Sequence, residues 1–157
     1  MEIERKFLVT NDLWRQTAST PILIRQGYLN KDADLAVRIR TKGTGAYITI
    51  KSGSKSKGDA LVRDEFEYEI PIDDANYILD NLCVQPNINK RRYKIIALDG
   101  KQWEVDEFIS PQPGLILAEI ELSSDEEKFI LPEWAGKEVT HDERYSNRNI
   151  ANATLDE

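Results

Sequence analysis

The chain has 157 residues, enough for one domain with a substantial core, and carries a net charge of −7 with 31% charged residues. This charge argues against a general nucleic-acid binder and against a protein held on an anionic membrane surface. No apolar run is long enough to span a membrane, and the opening residues are acidic. We therefore expect a single domain over residues 1–157, located in the cytoplasm.

The cysteine and histidine content limits the chemistry. The single cysteine, Cys83, excludes an internal disulfide, and His141 is the one histidine. A metal site in this chain must therefore use oxygen ligands, which favours Mg²⁺ or Mn²⁺ over zinc.

The first predicted element is a strand over residues 1–9, whose alternation places Glu2, Glu4 and Lys6 on one face. The other face is apolar except for Arg5. Same-face neighbours on a strand lie about 6.7 Å apart, so the two carboxylates repel each other unless a cation lies between them. Alone, this pattern also fits an ordinary edge strand with a solvated face. It gains weight because later strands repeat it.

The remaining elements follow from the same periodicities and from turn and capping residues. Including the first, eight strands are predicted, over residues 1–9, 22–30, 35–41, 46–52, 62–70, 89–98, 101–109 and 115–122. The helical segments are a turn behind Asn11 or Asp12, a helix from Asp73 or Asp74 to about 83, a short helix from Ser123 or Ser124 through Phe129, and a short helix or turn at 147–153. Residues 53–59 are predicted to form a flexible loop.

The strands segregate their charges. Acidic pairs are Glu2/Glu4, Glu67/Glu69, Glu104/Asp106 and Glu119/Glu121, and basic pairs are Arg38/Arg40 and Lys90/Arg92. Stacked like charges destabilise a sheet unless opposite charges lie close, and a closed sheet brings acidic and basic strands face to face across a lumen. The sequence therefore predicts an α+β, mostly β fold: a closed antiparallel eight-stranded β-barrel with a charged lumen and a few flanking helices. Such a lumen suits a polyanion carried with divalent metals.

The segment Glu2-Ile3-Glu4-Arg5-Lys6 resembles the E-x-E-x-K signature of the CYTH domain, the triphosphate tunnel metalloenzymes. The resemblance covers nearly the whole chain, which is similar to the small bacterial inorganic tripolyphosphatases. The further motifs, in order, are Val37-Arg38-Ile39-Arg40, Thr49-Ile50-Lys51, Glu67-Tyr68-Glu69-Ile70, Lys90-Arg91-Arg92-Tyr93, Glu104-Val105-Asp106, Glu119-Ile120-Glu121 and Asp142-Glu143-Arg144-Tyr145.

The resemblance implies a role for each matching position. The metal ligands would be Glu2, Glu4, Glu119 and Glu121, helped by Glu67, Glu69 and Asp106. The phosphate-binding residues would be Lys6, Arg38, Arg40, Lys51, Arg92 and Arg144. In small bacterial members a lysine paired with a tyrosine takes part in the chemistry, and the matching residues are Lys90 and Tyr28. For Tyr28, a strand aromatic that simply packs is the alternative.

The expected activity is metal-dependent hydrolysis of a linear triphosphate, with inorganic tripolyphosphate as the favoured substrate. Every motif position in the predicted lumen is charged, which suits phosphates, whereas a purine needs aromatic or apolar walls. The alternatives are a class IV adenylate cyclase, a nucleoside or thiamine triphosphatase, and a polyphosphate- or nucleotide-binding module without turnover. The expected partner is a small polyanion, neither nucleic acid nor membrane, and a homodimer is left open.

Overall fold

The computed structural model describes residues 2–31, 34–53, 55–57 and 59–152. Within these ranges the strands are β1 (Glu2–Val9), β2 (Ile22–Tyr28), β3 (Leu35–Lys42), β4 (Gly45–Ser52), β5 (Lys55–Lys57), β6 (Ala60–Arg63), β7 (Glu65–Glu69), β8 (Val84–Ile96), β9 (Gln102–Ser110), β10 (Ile116–Glu121) and β11 (Ala135–Glu138). The α-helices are α1 (Ile72–Asn81) and α2 (Asn147–Asn152), and 3₁₀ turns lie at Leu13–Gln16 and Glu143–Tyr145.

The sheet curves into an antiparallel barrel whose wall runs β6-β1-β10-β9-β8-β2-β3-β4-β7. β5 pairs with β6, and β11 pairs with β1 beside this wall. The two ends of the wall, β6 and β7, are consecutive in the chain and separated only by Asp64. Because β6 pairs with β1 while β7 pairs with β4, the chain itself bridges the two ends of the barrel wall. The predicted barrel is confirmed.

The wall has nine strands rather than the eight predicted, because the strand expected over 62–70 is broken at Asp64. The backbone nitrogen of Asp64 donates to Ser52 Oγ at 2.8 Å, and its carbonyl accepts from Ser52 at 3.0 Å. These two bonds hold the strand at the point where it changes partner.

The apolar face of the barrel is its outer face. Ile3 and Phe7 of β1 are buried there, and the Phe7 ring lies 5.5 Å from that of Trp103. Trp103 and Trp14 are fully buried in this outer core, which the connecting segments cover. The exception, Arg5, donates to the Glu138 carboxylate of β11 at 2.6 and 2.9 Å. The alternation that buries apolar side chains outside therefore turns the charged side chains into the lumen.

One end of the lumen is apolar. Ile88, Phe108 and Leu117 share a strand face with Lys90, Asp106 and Glu119, two residues away along their own strands. They are buried together with Ile150 and Ala151 of α2. The short C-terminal helix therefore packs onto this end of the barrel and brings its first residues close to the charged lumen.

Two predicted helices differ from the structure. α1 begins after Pro71, and neither Asp73 nor Asp74 makes a capping hydrogen bond. The helix expected through Phe129 is absent, because Glu127 closes a turn instead. Its carboxylate accepts from the Ser123 backbone at 2.6 Å and pairs with Lys101 at 2.7 Å. The prediction from the serine and glutamate spacing was therefore wrong.

Three shorter predicted segments, a turn, a loop and a C-terminal helix, can be compared with the structure. The turn near Leu13 is present and Asn11 caps it, accepting from the Leu13 backbone at 2.9 Å. The predicted loop at 53–59 contains β5, and residues 54 and 58 lie outside the described part. α2 matches the segment predicted at 147–153, whose last residue is not described. Neither α-helix within the described ranges has the length and apolar character of a membrane-spanning helix.

Candidate active site

A cavity of about 580 Å³ occupies the barrel lumen. Its wall includes most of the predicted site residues: Glu2, Glu4, Lys6, Tyr28, Arg38, Arg40, Lys51, Arg92, Glu119 and Glu121. A second cavity of about 320 Å³ adjoins it and shares Glu104, Glu119 and Glu121 with it. The residues that line only this second cavity are Lys101, Gln102 and Glu127.

Five predicted site residues are not on the wall of the main cavity. Lys90 and Asp106 are buried behind it, where they contact each other. Glu67 and Glu69 are exposed, and Glu65 is the β7 carboxylate that reaches the cavity. Arg144 is also exposed, because the carboxylate of Asp142 holds its guanidinium at 2.7 Å in the 3₁₀ turn. Glu67 is linked to Arg38 through Thr49, whose hydroxyl donates to the Glu67 carboxylate at 3.5 Å and accepts from Arg38 at 3.3 Å. Glu69 and Arg144 lie away from the cavity wall.

The sequence-based prediction missed several charged cavity residues, among them Arg63, Glu65 and Arg148. Arg63 and Glu65 share their parity with Glu67 and Glu69 in the segment predicted as one strand, so the alternation could have found them. No local sequence pattern predicts that Arg148 reaches the cavity, because its position depends on how α2 packs against the barrel.

The carboxylates of β1 and β10 crowd each other. Glu4 lies opposite Glu121 in the register and is buried. Burial, together with the nearby Glu119 and Glu2 carboxylates, raises the pKa of Glu4 to about 8. Burial and the Glu2 charge also raise the pKa of Glu121. The nearby cations, Lys6 and Arg63, the latter 3.5 Å from Glu4, therefore offset the burial and the neighbouring carboxylates only in part.

Other carboxylates have basic partners. Burial would raise the pKa of Glu119, but Lys6, whose Nζ lies 3.4 Å away, and Arg92 lower it to about 2. Burial likewise opposes ionisation of Glu2, but Lys51 at 3.1 Å lowers the pKa below its usual value. Neighbouring glutamates in one cavity therefore favour opposite protonation states.

The arginines of β3 face these carboxylates with incomplete hydrogen bonding. Arg38 is 4% exposed, and its Nε has no hydrogen-bond partner among the described residues. Arg40 donates from Nε to Gln26 Oε1 at 2.8 Å, and burial together with Arg38 lowers its pKa to about 9. Within the described ranges no carboxylate lies within 4.0 Å of either guanidinium. Phosphate oxygens would supply the missing acceptors and the missing negative charge.

Lys90 belongs to a buried ionic network. Its Nζ lies 2.7 Å from Asp106 Oδ2 and 3.3 Å from Asn147 Oδ1 of α2, and it is fully buried. Arg92 binds both oxygens of Asp106, at 2.8 and 2.9 Å. Burial and the nearby Arg92 lower the pKa of Lys90 to about 7 although Asp106 opposes the shift. Burial would raise the pKa of Asp106, but Lys90 and Arg92 hold it far below its usual range.

The sequence of this chain matches the CYTH domain over residues 1–153. The chain belongs to the CYTH family.

Curated relatives of this CYTH chain have one activity in their names. A protein of Acetivibrio thermocellus named inorganic triphosphatase is 45% identical over 149 residues, which cover 95% of this chain and 92% of the relative. A protein of Nitrosomonas europaea with the same name is 37% identical over 153 residues, 96% of each chain. A crystal structure of an inorganic triphosphatase superposes with a TM-score of 0.67 at 33% identity, covering 98% of this chain and 96% of the other.

The CYTH family implies a divalent metal, and the donor chemistry of this lumen fits one. The candidate ligands Glu2, Glu4, Glu119 and Glu121 offer only carboxylate oxygens, which Mg²⁺ and Mn²⁺ prefer. The pKa of Glu4 is raised by its burial and by the crowding of Glu119 and Glu2, which Lys6 and Arg63 offset only in part. Across the described residues, no three acidic, histidine or cysteine side chains are already arranged to hold a metal ion. Binding would therefore require these carboxylates to reorient.

Tyr28 of this CYTH chain faces the cavity, opposite Arg38 in the register of β2 and β3. The guanidinium carbon of Arg148 lies 4.7 Å from the centroid of its ring. No hydrogen bond joins Tyr28 to Lys90 in the part of the chain described, so the structure places the two residues implied by the resemblance in separate surroundings. A catalytic role for Tyr28 stays a prediction.

Proposed function

We propose that this chain hydrolyses linear triphosphates with the help of a divalent cation, and that inorganic tripolyphosphate is its preferred substrate. The observation that carries the proposal is the two-sided lumen. Among the described residues, Arg38 and Arg40 have no carboxylate within 4.0 Å on one side. On the other side, burial and neighbouring carboxylates raise the pKa of Glu4 and Glu121, although Arg63 lies 3.5 Å from Glu4. A complex of a polyanion with a divalent cation neutralises both sides at once. The names of the curated relatives support the same activity.

The cavity residues divide by chemistry. Lys6, Arg38, Arg40, Lys51 and Arg92 bind the phosphate chain, and the candidate ligands Glu2, Glu4, Glu119 and Glu121 hold the cation. Bound Mg²⁺ or Mn²⁺ would neutralise charge on the phosphates and acidify a water molecule. The protein contributes positioning and a fixed array of charges, which dominate phosphoryl transfer. Asp106 acts here as the counter-ion of Lys90 and Arg92, because both of its oxygens are engaged by them.

Lys90 is the proposed proton acceptor. Water attacks the terminal phosphorus, the bridging P–O bond breaks to release pyrophosphate, and the proton lost by the water passes to the Lys90 amine. Because Lys90 is buried behind the cavity wall, this transfer requires its side chain to move to the wall or an intervening water. An amine accepts a proton only when neutral, and the pKa of about 7 makes a large neutral fraction available near neutral pH. The histidine of the chain, His141, is not needed for this step.

We expect kcat/KM at saturating metal to rise with pH through about 7 and to level off above it, as Lys90 loses its proton. Saturating metal keeps Glu4 ionised, so that its own titration does not contribute. A pH–rate profile of Lys90→Ala is the control, and it should be flat over this range. A rise with the same midpoint in Lys90→Ala would contradict the role of the lysine.

The substrate is tested by comparing kcat/KM for tripolyphosphate, ATP and thiamine triphosphate under one metal condition, with orthophosphate release as the readout. We expect tripolyphosphate to be preferred because the described cavity wall is dominated by charged side chains. ATP equal to or better than tripolyphosphate would contradict the preference. Cyclic AMP among the products would establish the cyclase alternative, and binding without turnover would establish a binding module.

The cytoplasmic location and the homodimer stay predictions. Fractionation of the source cells would test the first, and the mass of the purified protein measured by light scattering would test the second.

A further inference from the structure

Arg148 of α2 reaches across the mouth of the cavity to β2. Its Nη1 donates to the backbone carbonyl of Asn30 at 2.7 Å, and its guanidinium lies over the Tyr28 ring. No carboxylate of the described residues lies within 4.0 Å of it, whereas Lys6, Lys51 and Arg92 each have one. A cation that lines the cavity and has no such neighbour in the described part of the chain is available to a bound anion.

Arg148 continues the row of arginines along the cavity. Tyr28, which it covers, lies opposite Arg38, and side chains opposite each other in a sheet have Cβ atoms about 5 Å apart. Two residues further along β3, Arg40 is paired with Gln26. A triphosphate bound along Arg40 and Arg38 therefore directs its next substituent towards Tyr28 and Arg148.

Tyr28 is the one aromatic ring, apart from the imidazole of His141, among the described residues that line this cavity. A nucleobase at the mouth would gain most of its affinity by stacking on such a ring. The guanidinium of Arg148 already occupies the ring face at 4.7 Å. A nucleoside triphosphate must therefore displace the arginine, but an inorganic chain places a charged phosphate oxygen beside it.

We propose that Arg148 determines specificity for inorganic triphosphate over nucleoside triphosphates, by offering its charge to the end of the phosphate chain and by covering the aromatic face of Tyr28. This inference rests on the proposed triphosphatase function. It assigns to the first turns of α2 a role in substrate selection, in addition to packing onto the end of the barrel.

The test is the ratio of kcat/KM for tripolyphosphate to that for ATP. In Arg148→Ala we expect this ratio to fall by at least about tenfold, from weaker use of tripolyphosphate and improved use of ATP. Arg148→Lys keeps the positive charge but removes the planar guanidinium that covers the Tyr28 ring. We expect this variant to retain tripolyphosphate hydrolysis and to have a higher kcat/KM for ATP than the wild type. Arg91→Ala, which removes an arginine from the outer face where it lies 3.8 Å from Glu107, is the matched control and should leave the ratio unchanged.

A second substitution shows whether the uncovered ring is responsible. Adding Tyr28→Leu to Arg148→Ala should cancel the gain in ATP affinity, measured as the dissociation constant so that a catalytic role of Tyr28 does not contribute, since the stacking surface is then gone. If Arg148 only ties α2 to Asn30, the Ala variant will melt at a lower temperature and lose both substrates in proportion. An unchanged ratio would overturn the proposal.

Failure of the inference can be told apart from failure of the proposed function. If the wild-type protein hydrolyses tripolyphosphate but the ratio is the same in Arg148→Ala, the specificity role alone is wrong. If the wild-type protein hydrolyses no triphosphate, the proposed function fails. Dissociation constants for tripolyphosphate and ATP, measured by calorimetry on the same variants, then decide the specificity role by their ratio.

Discussion

Glu4→Gln and Glu119→Gln should each reduce turnover by at least about a hundredfold and yet change the stability of the metal-free protein in opposite directions. The pKa of Glu4 is raised to about 8 and that of Glu119 is lowered to about 2. Removing the Glu4 charge relieves repulsion from Glu2 and Glu119. Removing the Glu119 charge leaves Lys6 and Arg92 with less compensation, so this variant should be less stable than the wild type.

The stabilisation by Glu4→Gln should depend on pH. The folded protein keeps a proton on Glu4 up to about pH 8, whereas the unfolded chain releases it near 4.5. The unfolded state therefore binds fewer protons between these values, and the wild-type protein loses stability as the pH rises from 4.5 to 8. The glutamine variant has no such titration, so its advantage should grow over this window and be absent below it.

Thermal denaturation in the presence of a chelator, followed from pH 4.5 to 8 for both variants and the wild type, measures these signs. Saturating Mg²⁺ should then stabilise the wild type more than either variant, since each variant lacks a candidate ligand. Near wild-type turnover in either variant at saturating metal would show that the assignment of ligands is wrong. A Glu4→Gln protein less stable than wild type at pH 8 would contradict the crowding of carboxylates.

Asp106→Asn should give a large loss of stability, of about 3–5 kcal/mol, because it leaves two buried cations without their shared counter-ion. Lys90 is fully buried and Arg92 is 7% exposed, so neither can regain the lost interaction from water without moving. The substitution keeps the shape of the side chain and changes only its charge. Chemical denaturation at pH 7 measures the loss.

Glu107→Gln is the matched control, because Glu107 is the next residue of β9 and points to the outer face. It pairs with Arg15 at 2.7 Å and Arg91 at 3.8 Å, both partly exposed, so its removal should cost no more than about 1 kcal/mol. Equal losses in the two variants would show that the buried network contributes no more than a surface ion pair.

The alternation of β1 could be predicted from the sequence because burial imposes it. Ile3 and Phe7 had to share one face of the strand, opposite the face of Glu2 and Glu4. In the structure, Ile3 and Phe7 lie in the outer core, and Glu2 and Glu4 lie in the lumen. Period-two patterning is local and strong, so the barrel and most of its lining could be predicted from it. The break at Asp64 could not, since it depends on bonds to Ser52 of another strand.

The remaining site geometry depends on contacts between segments far apart in the chain. Asn147 reaches Lys90 and Arg148 reaches Tyr28 only because α2 packs back onto the barrel. Glu67 and Glu69 have the correct parity but lie exposed on the final strand of the wall, where parity does not ensure enclosure. The helix expected through Phe129 failed for a related reason, since Lys101 of another segment engages Glu127. The local sequence pattern carries no information about such contacts between segments far apart in the chain.

The junction of the two cavities gives the lumen a direction. The three residues they share, Glu104, Glu119 and Glu121, are all acidic, and the smaller cavity adds Glu127 beyond them. Without bound cations, this acidic junction repels a phosphate chain that reaches it past Arg38 and Arg40, and it attracts small cations. On the proposed function, we therefore expect occupancy of the junction by a divalent cation to decide how far a phosphate chain enters the lumen.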